Sequence, residues 1–394
     1  MSTSTRTLLL LSGLAAVGTL STTIILPSLP AMAVSLNAAP ADMALTLSSF
    51  FLVFAVGQLL VGPLSDRYGR RPLILGGLTL FVLGSLLGAG ASDLNSMVAA
   101  RVIQAAGVCA ASVLARAIAR DLYDGQALAK ALAFIMVAMA AAPGFSPLLG
   151  SLIDSQLGWR ASFLLVAGVG AALAAGYLLA MAESHAPSAR LKLSVGVISK
   201  GYLQLLGDRR FALPALAVSL VIGGLYAFFA SAPVIMIRGM GYSGIQLGLF
   251  FAATVFVVFS AGMLAPKLAQ RWGAVQVALA GGAVALVGGI LQVLFYQNQD
   301  LILFSLAICL FLAGMGVINP LGTAVTLQPF GEQAGLASSL LGFLQMAIAA
   351  IGTGLVSAIA LPPALTLGLL LSATAFCSLA GFFLYPSNTL RQPA

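Results

Sequence analysis

The feature that most constrains this chain is its set of long stretches without a single Asp, Glu, Lys or Arg. They cover 7–41, 43–65, 72–92, 131–153, 161–182, 211–237, 239–266, 272–299, 301–331 and 333–390. A helix needs about 20 apolar residues to cross the hydrocarbon core of a bilayer. Each of the first nine stretches holds one such helix, and 333–390 is long enough for two. Pro362-Pro363 is the natural break there, because proline has no N–H to donate to a helix ladder. One further apolar segment lies between 94 and 120, interrupted by Arg101 and Arg116. The expectation is an all-α membrane protein with twelve transmembrane helices.

Composition agrees. Only 7% of residues are charged, against about 25% in soluble domains. The net charge of +8 does not point to nucleic acid, since the basic residues are scattered in short clusters between apolar runs. They follow a membrane rule instead. With the N-terminus in the cytoplasm, all of the 18 Lys and Arg except Arg101, Arg160 and Arg238 fall in or beside cytoplasmic segments. That bias fixes the expected orientation, with both termini cytoplasmic.

The longest polar stretch, 183–210, separates six expected helices from six. The domain reading is a six-helix bundle over 1–182, a cytoplasmic linker over 183–210 and a second bundle over 211–394. Leu193 to Leu206 reads either as an amphipathic helix on the inner leaflet or as plain linker. His185, the one histidine, reads as a solvated linker residue. Cys109, Cys309 and Cys377 lie in apolar runs without metal or redox spacing, so no metal site is expected. No phosphate-cradling GxxxxGK[ST] and no buried His/Asp/Glu constellation is visible, which argues against an enzyme.

Charge is densest beside apolar sequence in Gly62 to Pro72, GPLSDRYGRRP. A second copy follows the second helix of the other half. Residues 266–273, PKLAQRWG, lie over 62–69, GPLSDRYG, and keep Leu, Arg and Gly in register. Two pseudo-symmetric six-helix bundles are therefore expected, the usual construction of parallel-repeat transporters.

GPLSDRYGRRP resembles the loop between helices two and three of the major facilitator superfamily. Within it the chain resembles the Bcr/CflA branch of drug:proton antiporters, through Leu26-Pro27-Ser28-Leu29-Pro30, Arg101-x-x-Gln104, Arg120-Asp121-Leu122-Tyr123, Ser146-Pro147-Leu148-Leu149-Gly150, Ser231-Ala232-Pro233 and Gly314-x-Gly316. The resemblance implies a multidrug exporter of the bacterial inner membrane, taking small amphipathic compounds by alternating access. The proton gradient is its energy source, no cofactor is needed, and it acts as a monomer without nucleic-acid partners. A specific carrier of a metabolite such as a nucleoside or amino acid, or an uncoupled facilitator, is the alternative.

The resemblance also implies a conformational latch of Gly62, Asp66, Arg67, Gly69, Arg70 and Asp121. Asp66 would face the positive end of the eleventh helix near Glu332 to Gly335, and Arg67 would pair with Asp121. The alternative is that these arginines only set topology. Arg101 is an ionisable residue inside a span and hence a functional candidate. With Gln104 it is the proton-coupling candidate, unless it merely snorkels to the outer interface.

The chain departs from the family at Thr23, where many relatives carry an Asp. No acid lies deep in a span, which disfavours strongly cationic cargo. Candidate pocket residues are Thr22, Thr23, Phe50, Phe54, Met136, Met139, Tyr226, Phe229, Asn319 and Gln345, chosen because aromatic, methionine and polar side chains suit a surface for varied apolar shapes.

Overall fold

The computed structural model describes residues 5–185 and 195–385. Among them, twelve helices are long and apolar enough to cross a membrane. They are α1 (Thr5–Ser35), α2 (Ala41–Tyr68), α3 (Arg70–Ala89), α4 (Leu94–Leu122), α5 (Gly125–Leu157), α6 (Trp159–Ala180), α7 (Arg209–Gly239), α8 (Gly244–Trp272), α9 (Ala274–Leu294), α10 (Leu301–Gly331), α11 (Ala334–Ala358) and α12 (Pro363–Phe383). The last apolar stretch divides at the expected place: α11 ends at Ala358 and Pro363 opens α12. No strand occurs among the described residues. A linker helix, Val195–Gly207, occupies most of the segment read as either amphipathic helix or plain linker. Leu193, Arg190, Lys192, Arg391 and the side chain of Glu332 lie outside the described residues.

The acids at span boundaries have local work to do. A helix start leaves N–H groups without partners and carries a partial positive charge, so a carboxylate there is stabilising. Asp93 accepts from the Ser96 N–H at 2.9 Å while Ser96 Oγ accepts from the Asp93 N–H at 3.2 Å, a reciprocal cap on α4. Asp300 accepts from the Ile302 N–H at 2.6 Å to cap α10. Asp208 accepts from the Arg210 N–H at 2.8 Å to cap α7, and hydrogen bonding to the Arg210 guanidinium holds its carboxyl below the usual range.

The chain divides into two compact units, one of Met1–Leu193 with Gly241–Val255 and one of Ser194–Met240 with Phe256–Ala394. The lines differ from the sequence-based boundaries in two places. The linker helix groups with the second unit, where Gly201 lies against Leu336 of α11. The start of α8 groups with the first unit, where Gly248 lies against Leu148 and Ser151 of α5.

Each unit uses the same packing scheme. In the first, α1 packs on α4, α5 and α6, while α3 packs on α4 and α6. In the second, α7 packs on α10, α11 and α12, while α9 packs on α10 and α12. Lipid tails are as apolar as a leucine side chain, so close backbone approach at small residues must supply much of the attraction between helices. Gly77 of α3 faces Gly107 of α4, and a Cβ on Gly77 would meet the Gly107 carbonyl at 2.6 Å. Gly281 of α9 faces Gly314 of α10 in the same way, at 3.0 Å. Gly84 and Gly288 repeat the contact one helical stretch further along, each against partner backbone at 2.5 Å. Gly77 and Gly281, Gly84 and Gly288, and the loop glycines Gly69 and Gly273 are all related by one constant sequence offset.

Candidate functional site

Two polar clusters stand out in the first unit. One is built around the charged loop. Chain direction must reverse between α2 and α3 within a single residue, and Gly69 does this with φ of 98°, a left-handed value that favours glycine. Its repeat partner Gly273 makes the same turn between α8 and α9, at φ of 85°. The reversal sets Arg70 beside the last turn of α2, where its guanidinium donates to Asp66 Oδ1 at 2.6 Å and to Ser65 Oγ. Arg70 Nε donates to Asp121 Oδ2 at 3.2 Å, tying the turn to the end of α4. The Arg70 side chain is 9% exposed, whereas Asp66 is 41% exposed.

The expected Arg67–Asp121 pair is therefore corrected: Asp121 pairs with Arg70. Arg67 precedes the reversal and points outward, its guanidinium 5.1 Å from the ring centre of Tyr68. Gly62, at the other end of the motif, offers its carbonyl to Ser65 Oγ at 2.7 Å.

Glu183 completes the cluster, and sequence reasoning missed it. It lies just beyond α6, yet accepts from the Arg70 and Arg71 N–H groups at 2.9 and 3.1 Å, capping α3 from across the unit. Ser184 Oγ donates to Asp121 Oδ2 at 2.9 Å. Glu183→Gln keeps the shape but removes the anion from the helix start. It should cost about 1 kcal/mol, read as a lowered thermal midpoint of the purified protein; an unchanged midpoint would show that the cap is not stabilising.

The second cluster surrounds Arg101, about 10 Å into α4 by helical rise. It does not snorkel. Its side chain is 0% exposed, and Gln104 one turn on is 1% exposed. Arg101 Nη1 donates to the Ser21 carbonyl at 3.1 Å and to Gln104 Oε1, and Nε donates to the Thr46 carbonyl at 3.4 Å. The guanidinium carbon lies 4.3 Å from the centre of the Phe50 ring, close enough for cation–π attraction. Gln104 Nε2 in turn donates to Ser85 Oγ of α3 at 2.7 Å. Arg101 thus joins α1, α2 and, through Gln104, α3. Nη2 has no hydrogen-bond partner. Among the described residues no Asp or Glu side chain is buried, so carbonyl dipoles, an amide and a ring face surround this cation.

At Thr23 hydroxyl contacts stand in place of a carboxylate. Thr23 is buried, donates to the Thr19 carbonyl at 2.7 Å and is hydrogen-bonded to Ser146 of α5. Thr22 is also buried and donates to the Thr19 carbonyl at 2.8 Å. Just beyond, the helix ladder of α1 breaks: the Ser28 N–H bonds to Ile25 O, tightening the turn ahead of Pro30. At this break Gly150 of α5 lies so close that a Cβ would fall on the Ile24 carbonyl oxygen.

The remaining pocket candidates are only partly brought together. Phe50 and Phe54 stack on α2 with centroids 6.1 Å apart, beside Arg101. Met136 is exposed and Met139 half-buried on α5. In the second unit, Tyr226 and Phe229 meet edge to face at 5.9 Å, while Asn319 of α10 and Gln345 of α11 are half-buried.

The model of the Major Facilitator Superfamily matches residues 11–353, most of the chain. The chain belongs to the Major Facilitator Superfamily. It is 31% identical to multidrug resistance protein D of Escherichia coli strain K12 over 364 residues, covering 89% of this chain and 87% of that protein. It is 28% identical to a bicyclomycin resistance protein homologue of Haemophilus influenzae, covering 93% and 92%. These relatives agree with the Bcr/CflA-type branch. In structure it resembles a bacterial homologue of the human lysosomal transporter Spinster, with a TM-score of 0.71, 16% identity and 98% of each chain covered. A Major Facilitator Superfamily chain with this packing is a multi-pass membrane transporter rather than an enzyme. Its loop cluster and its buried arginine both sit in the first unit.

Proposed function

We propose that this chain is a secondary active exporter of small amphipathic compounds, driven by the proton gradient through alternating access of its two units. We place it as a monomer in the bacterial inner membrane with both termini cytoplasmic, on the basic-residue bias of its loops. Its similarity to resistance proteins supports export.

One observation carries the substrate reading. Arg101 is a buried cation, and no described carboxylate is buried with it. A strongly cationic compound entering the first unit would meet an uncompensated like charge in a medium that screens poorly. Neutral, zwitterionic and weakly anionic compounds meet no such barrier. The purified protein, reconstituted into proteoliposomes, should move such compounds faster than matched cations, and an imposed pH gradient should accelerate the flux. Flux indifferent to the gradient would reject proton coupling and leave a facilitator. A preference for cations would reject the charge argument.

The loop cluster supports a conformational role. Asp66 is the half-exposed member, while Arg70 is buried by its contacts to Asp121 and Ser65. Asp66→Asn is expected to reduce efflux at least tenfold with insertion and abundance unchanged. Unaltered efflux in that variant, at equal abundance in the membrane, would leave the loop a topology determinant only.

A further inference from the structure

The second unit contains a cavity of about 170 Å³ at the end of α7 remote from the linker helix. None of the residues assigned above to the loop cluster, the arginine cluster or the candidate pocket lines it. One wall is Val234–Gly239, a π-helical turn that ends α7. Such turns are rare and are frequent at functional sites. Phe295 and Phe304 supply aromatic walls, and Pro362-Pro363 forms a stiff rim before α12. Four polar side chains line the same space, those of Gln292, Tyr296, Asn298 and Gln299. Asn298 lies in the exposed loop after α9, and Gln292 is 3% exposed and donates to the Ala364 carbonyl at 3.3 Å. No Asp, Glu, Lys or Arg lines it.

We infer that this cavity is a second ligand site, for a single neutral aromatic ring bearing one hydrogen-bonding group such as a carboxamide or phenol. Size sets the ring count: a cavity of about 150 Å³ lined by apolar side chains accommodates benzene. The wall chemistry sets the rest. Aromatic and branched side chains favour a ring face or edge. Carboxamides at the wall give a polar substituent a partner, which a plain hydrocarbon or an acyl chain would leave unused. The absence of any lining charge disfavours an ionised ligand, which would be desolvated without compensation. A ligand here bridges the end of α7, the end of α9 and the start of α12, so it braces the π turn against the proline rim. This site does not rest on the transport reading, because it is defined by binding alone.

The test uses the full chain in lipid nanodiscs and 4-fluorobenzamide as probe, followed by fluorine NMR line broadening. Wild type should show saturable broadening that excess benzamide displaces and that benzoate and benzylammonium do not. Ala364→Phe places a ring in the cavity from a half-buried position at the first turn of α12, and should weaken the probe at least tenfold with an unchanged thermal midpoint. If Ala364→Phe lowers the midpoint, Asn298→Ala in the exposed loop replaces it and should weaken binding several-fold. Broadening that does not saturate, or that matches empty nanodiscs, would mean the cavity holds water only and overturn the site. Equal displacement by benzoate would overturn the neutral-ligand assignment.

Discussion

Arg101→Ala is expected to bring transport below a tenth of the wild-type rate and to lower stability by roughly 3 kcal/mol. The substitution removes four contacts at once: the Ser21 and Thr46 carbonyls, Gln104 and the Phe50 ring. It takes the guanidinium donors from the Ser21 and Thr46 carbonyls in a region where water is scarce, and leaves a cavity where the guanidinium stood. It also removes the tie between α1 and α2 on one side and α3 on the other. Arg101→Lys separates charge from geometry. An ammonium keeps the positive charge but has no planar fork to reach Ser21, Thr46 and Gln104 together. The Lys variant should therefore recover part of the stability and little of the transport. Reconstituted flux together with thermal unfolding in detergent distinguishes these outcomes. Wild-type flux in Arg101→Ala would remove Arg101 from the mechanism altogether.

The second large effect is expected at Gly150. A Cβ there falls on the carbonyl oxygen of Ile24, which is backbone and cannot swing aside. Gly150→Ala must push α5 off the break in α1, and the Thr23–Ser146 hydrogen bond one turn away would stretch with it. Forced overpacking of this kind costs about 1–3 kcal/mol, and the variant should also transport poorly because the α1–α5 contact is displaced. Gly168→Ala on α6 is the control. Nothing lies within 4 Å of a Cβ at Gly168, so alanine should be neutral or stabilise by up to about 1 kcal/mol through helix propensity. Equal effects at the two glycines would show that backbone contact is not the cause.

How much of the site was legible in the sequence can be followed residue by residue. Arg101 and Gln104 could be singled out because an arginine inside an apolar run is expensive and rare, and a helical spacing of three puts both on one face. Their carbonyl partners could not, since Ser21 and Thr46 act through main-chain groups that every residue carries. Arg70, rather than Arg67, holds Asp121, because which of two nearby arginines turns inward depends on where the chain reverses at Gly69. Glu183 was invisible for a related reason: it caps α3 from 113 positions away in the chain. Gly77 and Gly281 did carry a sequence signal, the constant offset between the halves, which their partners Gly107 and Gly314 do not share, and glycine is common here, at 43 residues. Only their backbone contacts show which of them matter.

The sequence alone determined that the chain holds twelve helices long and apolar enough to cross a membrane, where each lies to within about two helical turns at either end, and that the halves repeat. Hydropathy and charge are properties of each residue in its solvent, so they survive without knowledge of neighbours. Tertiary structure decided which charges meet, that Arg101 is enclosed by carbonyls and a ring with no buried acid among the described residues, and that a glycine at 150 is required by a carbonyl at 24. Those facts depend on distances between helices far apart in sequence. They are set by packing of small residues and by single hydrogen bonds, which no local pattern encodes.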